Sequence, residues 1–60
     1  MGEKLREARR KAGFSQAELA KEIGCFQKDV SRWESGLVEP GVLTVKKIAQ
    51  ILGCRMEDLV

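Results

Sequence analysis

The chain has no histidine and only two cysteines, which stand far apart. That excludes the familiar zinc clusters, which need close groups of Cys and His ligands, and it excludes imidazole acid–base sites. No glycine-rich phosphate loop is present. No apolar run approaches the roughly 20 residues of a membrane-spanning helix. The opening residues, MGEKLREARR, lack the apolar stretch of a secretion signal. These absences supply no enzyme chemistry, no cofactor, no metal site and no membrane partner. They place the protein in the cytoplasm, where thiols stay reduced.

What is present is globular. Hydrophobic residues make up 43% of the chain and charged residues 33%, which separates it from disordered sequences. The 60 residues read as one domain, 1–60. A domain of this size buries only about 60% of its unfolded surface, so its core is small. The net charge of +2 is a weak pointer to nucleic acid. Lys4, Arg6, Arg9, Arg10 and Lys11 crowd the start, opposed there by Glu3 and Glu7. They read as a solvated helix end whose cations favour the C-terminal dipole, or as a phosphate-binding patch.

A glycine followed by an apolar residue recurs at Gly13-Phe14, Gly24-Cys25, Gly36-Leu37 and Gly53-Cys54. A left-handed glycine past a helix, with the next apolar side chain folding back on the last turn, is the Schellman stop. Starts accompany the stops. Ser15-Gln16-Ala17-Glu18 is a capping box with Phe14 placed as a staple. Thr44 is a candidate cap for the helix toward Leu52, after a stretch that Pro40 keeps non-helical. The expected helices are near 2–12, 16–23, 27–35 and 45–52, with a short fifth turn from Met56 to Leu59. No segment alternates with period two. The expected class is all-α, a compact bundle of four to five short helices.

Apolar residues fall at helical spacing: Met1, Leu5, Ala8 and Ala12; Leu19, Ala20 and Ile23; Val30 and Trp33; Val45, Ile48, Ala49 and Leu52. Each stripe is narrow, so the helices must share one core. Val42, Leu43 and Ile51 are expected to be partly buried. Cys25 and Cys54 each fill the apolar slot after a glycine stop, where a small hydrophobe suffices, and read that way in preference to a disulfide or redox pair.

The link between the second and third helices decides the function. From Gln16 the chain runs QAELAKEIGCFQKDVSRWESG. Small Ala20 lets the helices approach, and Gly24 permits the left-handed turn. Two short helices joined in this way form a helix-turn-helix unit, whose second helix can lie in a DNA major groove. With Val30 and Trp33 inward, Lys28, Ser31, Arg32 and Ser35 face away, and Gln27 lies on the flank. A polar outer face alone is neutral evidence, since every soluble helix has one. Arg9 lies about 40° from Leu5, and Glu34 about 40° from Val30, each on the rim of a core-facing stripe. If the stripes face each other, the two form a bidentate pair; otherwise they are unrelated rim charges.

The chain resembles the lambda-repressor/Cro, or XRE, family of helix-turn-helix regulators. LREARRKAGFSQAELAKEIG, then VSRWESG, then KKIAQILG with MEDL carry the likeness across nearly its whole length. The resemblance implies a lambda repressor-like bundle of five short helices. It also implies base or phosphate contacts from Gln27, Lys28, Ser31 and Arg32. Glutamine suits adenine, and lysine or arginine suits guanine or phosphate. Gln16 would contact a phosphate and brace the glutamine that starts the recognition helix; without the resemblance it is an exposed helix former. The resemblance also supports the Arg9–Glu34 pair. There are departures. Phe26 stands where relatives cap the helix with Ser or Thr, leaving it to pack on the core or touch a thymine methyl. Asp29 adds a negative charge near DNA, and Leu37-Val38-Glu39 lacks the usual cations.

The resulting expectation is a transcriptional regulator that binds double-stranded DNA at a near-palindromic operator as a homodimer, at least on DNA. Its dimer contacts would come from Leu43, Met56, Leu59 and Val60. The alternative is an antitoxin or protein-interaction module on the same scaffold, with a protein partner.

Overall fold

In the computed structural model, which describes residues 2–60, Ser15 closes both halves of a capping box. The Glu18 N–H donates to Ser15 Oγ at 3.0 Å, and the Ser15 N–H donates to Glu18 Oε1 at 2.9 Å. This start fixes α2, Gln16–Ile23. It is preceded by α1, Gly2–Lys11, and followed by α3, Gln27–Ser35, and α4, Val42–Leu52. A 3-10 turn, Met56–Asp58, ends the order, and no strand occurs among the described residues. The all-α expectation is met.

All four glycine stops form. Gly13, Gly24, Gly36 and Gly53 have φ of 81°, 89°, 82° and 70°. Each is followed by an N–H that reaches back five residues: Phe14 to Arg9, Cys25 to Ala20, Leu37 to Arg32 and Cys54 to Ala49, at 2.9–3.1 Å. These bonds satisfy carbonyls that a helix end leaves open. Phe14, Cys25 and Cys54 then pack against the core, as the motif requires. Leu37 does not; it is 78% exposed.

The core consists of Leu5, Leu19, Ala20, Val30, Val45, Ile48, Ala49 and Leu59. Leu19, Val30 and Ile48 have no exposed surface, and burying each such side chain contributes about 1.5–3 kcal/mol. Helix α3 packs on α1 and α2, while α4 packs on α2 and the 3-10 turn. Gly2 presses against the end of α3 so closely that an added Cβ would overlap the Glu34 carbonyl oxygen.

Several expectations need correction. Helix α4 starts at Val42, not near 45, with Gly41 as N-cap and the Val45 N–H donating to the Gly41 carbonyl at 2.9 Å. Thr44 is inside the helix and caps nothing. Val42 and Leu43 are exposed, Leu43 by 82%, because it lies about 200° from Val45 on the opposite face. Ile51 is half-buried as expected. Ala12 is exposed, since α1 ends one residue earlier and Ala12 belongs to the turn. Leu59 is buried in the core and is unavailable to a dimer contact. Met1 lies outside the described residues.

Candidate nucleic-acid interface

The candidate interface comprises the start of α2 and one side of α3. On α3, Val30 and Glu34 are buried and Trp33 is half-buried. Gln27, Lys28, Ser31, Arg32 and Ser35 are all exposed. At 100° per residue these five occupy an arc of roughly 140° on one side of the helix. Neither Lys28 nor Arg32 joins an ion pair among the described residues. Their charges face solvent uncompensated. Ser35 differs, because its hydroxyl donates to the Arg32 carbonyl at 3.0 Å and must release that bond to donate elsewhere.

The start of α3 is held differently from that of α2. Phe26 is the N-cap, in extended conformation, and its ring offers no acceptor. Asp29 supplies half a capping box: its Oδ2 accepts from the Phe26 N–H at 3.1 Å. Asp29 is thus occupied with the helix start and is half-buried, a capping role the sequence reading did not assign it. The D three residues after the cap was the available signal. Phe26 does not pack on the core; it is 73% exposed.

Behind the exposed face lies the Arg9–Glu34 pair. Arg9 Nε donates to Glu34 Oε2 at 2.6 Å, and Nη2 donates to Oε1 at 3.0 Å. Arg9 Nη1 also donates to the Phe14 carbonyl at 2.8 Å, tying the pair to the α1–α2 turn. Gln16 Nε2 donates to Glu34 Oε1 at 3.1 Å, and Arg6 Nε stands 3.5 Å from the same oxygen. The Glu34 side chain is wholly buried. Burial alone would push its carboxyl up, but the hydrogen bonds from Arg9 and Gln16, the Arg9 charge and Arg6 outweigh this and hold it below the usual carboxylate range. The same hydrogen bond to Glu34 holds the Arg9 guanidinium more firmly protonated. No buried side-chain nitrogen or oxygen lacks a partner among the described residues.

Gln16 therefore sits between the two sites. One amide N–H is committed to Glu34, and no hydrogen bond joins it to Gln27, the bracing that the resemblance implies. The sequence reading missed Arg6, three residues before Arg9 and so on the same side of α1. It also missed Lys47, whose Nζ donates to the Ile23 carbonyl at the end of α2, at 2.9 Å.

No group of three or more His, Cys, Asp or Glu residues arranged to hold a metal occurs among the described residues, and none of their helices is long and apolar enough to cross a membrane. Burial pushes both thiols up, with Asp29 adding to this at Cys25 and Asp58 at Cys54, so neither is a ready nucleophile. A concavity lined by residues such as Lys4, Lys11, Leu52 and Cys54 contains no residue of α3.

Comparison with known proteins agrees with this geometry. A helix-turn-helix family model matches residues 5–59. Over 59 residues the chain is 37% identical to an uncharacterized HTH-type transcriptional regulator of Archaeoglobus fulgidus, covering 98% of this chain and 84% of that one. The crystal structure of the restriction-modification controller protein C.AhdI from Aeromonas hydrophila matches with a TM-score of 0.89 and 30% identity, over 98% of this chain and 86% of that one. The P22 c2 repressor, solved in complex with synthetic operator 9T, matches with a TM-score of 0.89 and 30% identity, over 98% of this chain and 89% of that one.

Proposed function

This chain belongs to the XRE-type, lambda repressor-like helix-turn-helix family, and from that premise we propose that it reads a near-palindromic operator as one half of a symmetric dimer. The family is one of DNA-binding transcriptional regulators and not of enzymes, and this chain is such a regulator. The P22 c2 repressor, bound to its synthetic operator, is the relative that supports double-stranded DNA as the partner. Residues 1–60 act as one DNA-binding domain, working in the cytoplasm.

The observation that carries the reading is the exposed arc of α3, with two uncompensated cations beside a primary amide. Gln27 is suited to the N6/N7 edge of adenine. Arg32 and Lys28 suit guanine O6/N7 or phosphate, and Ser31 accepts or donates as its base requires. Ser35 lies at the end of the arc, where phosphate is the nearer target. Gln16, steadied by Glu34, presents its remaining amide N–H and the α2 N-terminus to a phosphate.

Dimension supports the dimer. The domain measures 23 × 20 × 19 Å, shorter than the roughly 34 Å between successive major-groove faces. Two copies can therefore occupy successive major-groove faces without overlapping. Leu37, Val38, Val42 and Leu43 remain exposed in the loop after α3 and the first turn of α4, and Met56 and Val60 are exposed at the other end. This apolar surface supports contact with a second copy. It equally supports the alternative reading, an antitoxin or protein-interaction module with a protein partner.

Selection of bound sequences from a random duplex pool, followed by footprinting, tests the proposal. The expected result is a near-palindromic site with half-sites one turn apart and a steep loss of affinity with salt. A footprint confined to one half-site at saturating protein would count against the dimer. Absence of any enriched sequence would remove the DNA reading.

A further inference from the structure

The Phe26 side chain takes no part in holding the fold, although its backbone helps close the start of α3. It is the N-cap of α3 but cannot accept a hydrogen bond, and Asp29 has taken over its backbone N–H. It contributes nothing to the core cluster, nor does it pack against it. Its ring is 73% exposed, and the Lys28 ammonium stands over it at 6.0 Å from the centroid. That distance is the outer limit of a cation–π contact, enough to steady the ring but not to cover it.

Its place in the fold is specific. Phe26 directly precedes Gln27, at the end of α3 whose first residues meet base edges when such a helix enters the major groove. The one base feature in that groove that an aromatic side chain recognises without hydrogen bonds is the C5-methyl of thymine. We propose that Phe26 is a specificity-determining residue that reads a thymine methyl group in each half-site. This rests on the reading of α3 as the DNA-contacting helix. It explains why a side chain unable to cap occupies a cap position: the helix start is closed by Asp29, which leaves position 26 to the DNA.

The test uses the full chain and its Phe26→Ser variant, each with a melting curve. Serine is a better N-cap, so the variant is expected to fold. Both proteins are taken through random-duplex selection. Binding to the wild-type consensus is then measured with each thymine replaced in turn by uracil, which removes the methyl group and nothing else. The expected result is one thymine per half-site whose demethylation weakens wild-type binding about fourfold, the worth of one buried apolar carbon. Changing both half-sites together should cost about fifteenfold. Phe26→Ser should lose the thymine preference in selection and ignore the uracil substitution. A wild-type consensus in which no thymine methyl matters, or an equal methyl effect in both proteins, overturns the role of Phe26 and leaves the DNA-binding reading standing. Failure of the wild type to enrich any sequence overturns both.

Discussion

The inner face of α3 carries one carboxylate, and three neighbouring side chains supply donors to it. The outer face carries Lys28 and Arg32, and no carboxylate pairs with either among the described residues. One helix thus holds a charge that folding has already neutralised and charges left open for a partner. The inner charge has no reach beyond the fold. Buried beside Val30, Glu34 would be costly alone, and its value lies in joining α1, the start of α2 and α3 at one point. The outer charges do little for stability, because solvent screens them, and are instead available to phosphates and bases. Gln16 links the two faces: Glu34 holds its amide from inside, and it stands half-buried at the start of α2.

The sharpest way to break the inner face is to remove one member of the pair. Arg9→Ala or Glu34→Ala should destabilise by about 3–5 kcal/mol, because each removes the main partner of a buried charge, with Arg9→Ala at the lower end since Gln16 and Arg6 still reach Glu34. So small a domain should then be largely unfolded in circular dichroism. The joint replacement Arg9→Met with Glu34→Leu should recover a cooperative melt. The same pair sets an acid limit. Glu34 titrates lower in the folded chain than in the unfolded one, so its contribution is fully present above the unfolded value of about 4.3. It is lost as pH falls through the folded value. The wild-type melting temperature should fall below about pH 4, and the Met/Leu double variant should lack that part of the fall.

A smaller inner-face effect is expected at Gly2. A methyl group there would overlap the Glu34 carbonyl and must push α1 away from α3. Gly2→Ala should cost about 1–3 kcal/mol by overpacking, read from urea midpoints. On the outer face, Arg32→Ala and Gln27→Ala should each weaken binding to the selected operator by about 1–3 kcal/mol while the melting temperature stays nearly constant. Wild-type affinity in both variants would remove these residues from the interface. The smallest effect belongs to the border of the two faces: Asp29→Ala should cost about 1 kcal/mol of stability, by opening the start of α3. An unchanged melt would show that the start of α3 holds without this bond.

The legible and illegible parts of the chain differ in the range of the forces that set them. Local signals were readable. The four glycine stops, the Ser15–Glu18 box, the separate core stripes that carry Leu19, Val30 and Ile48 and the exposed arc of α3 follow from spacing within one or two turns. Nearness in sequence fixes nearness in space there, so a residue's type and its neighbours suffice. The start of α4 was misread because Thr44 is a good cap in isolation, while the chain before it could already turn helical at Gly41. Wheel positions put Arg9 and Glu34 each on the rim of a core-facing stripe, but only the packing of α1 on α3 brings the two rims together, sets the 2.6 Å contact, brings in Arg6 and draws Gln16 to Glu34 instead of Gln27. Gly2 against the Glu34 backbone, Leu59 in the core and Phe26 in solvent were likewise decided by which helix lies beside which. Residue type and period set the helices and their faces; the tertiary structure chose what each face meets, because contacts between residues distant in sequence depend on helix placement that no local pattern encodes.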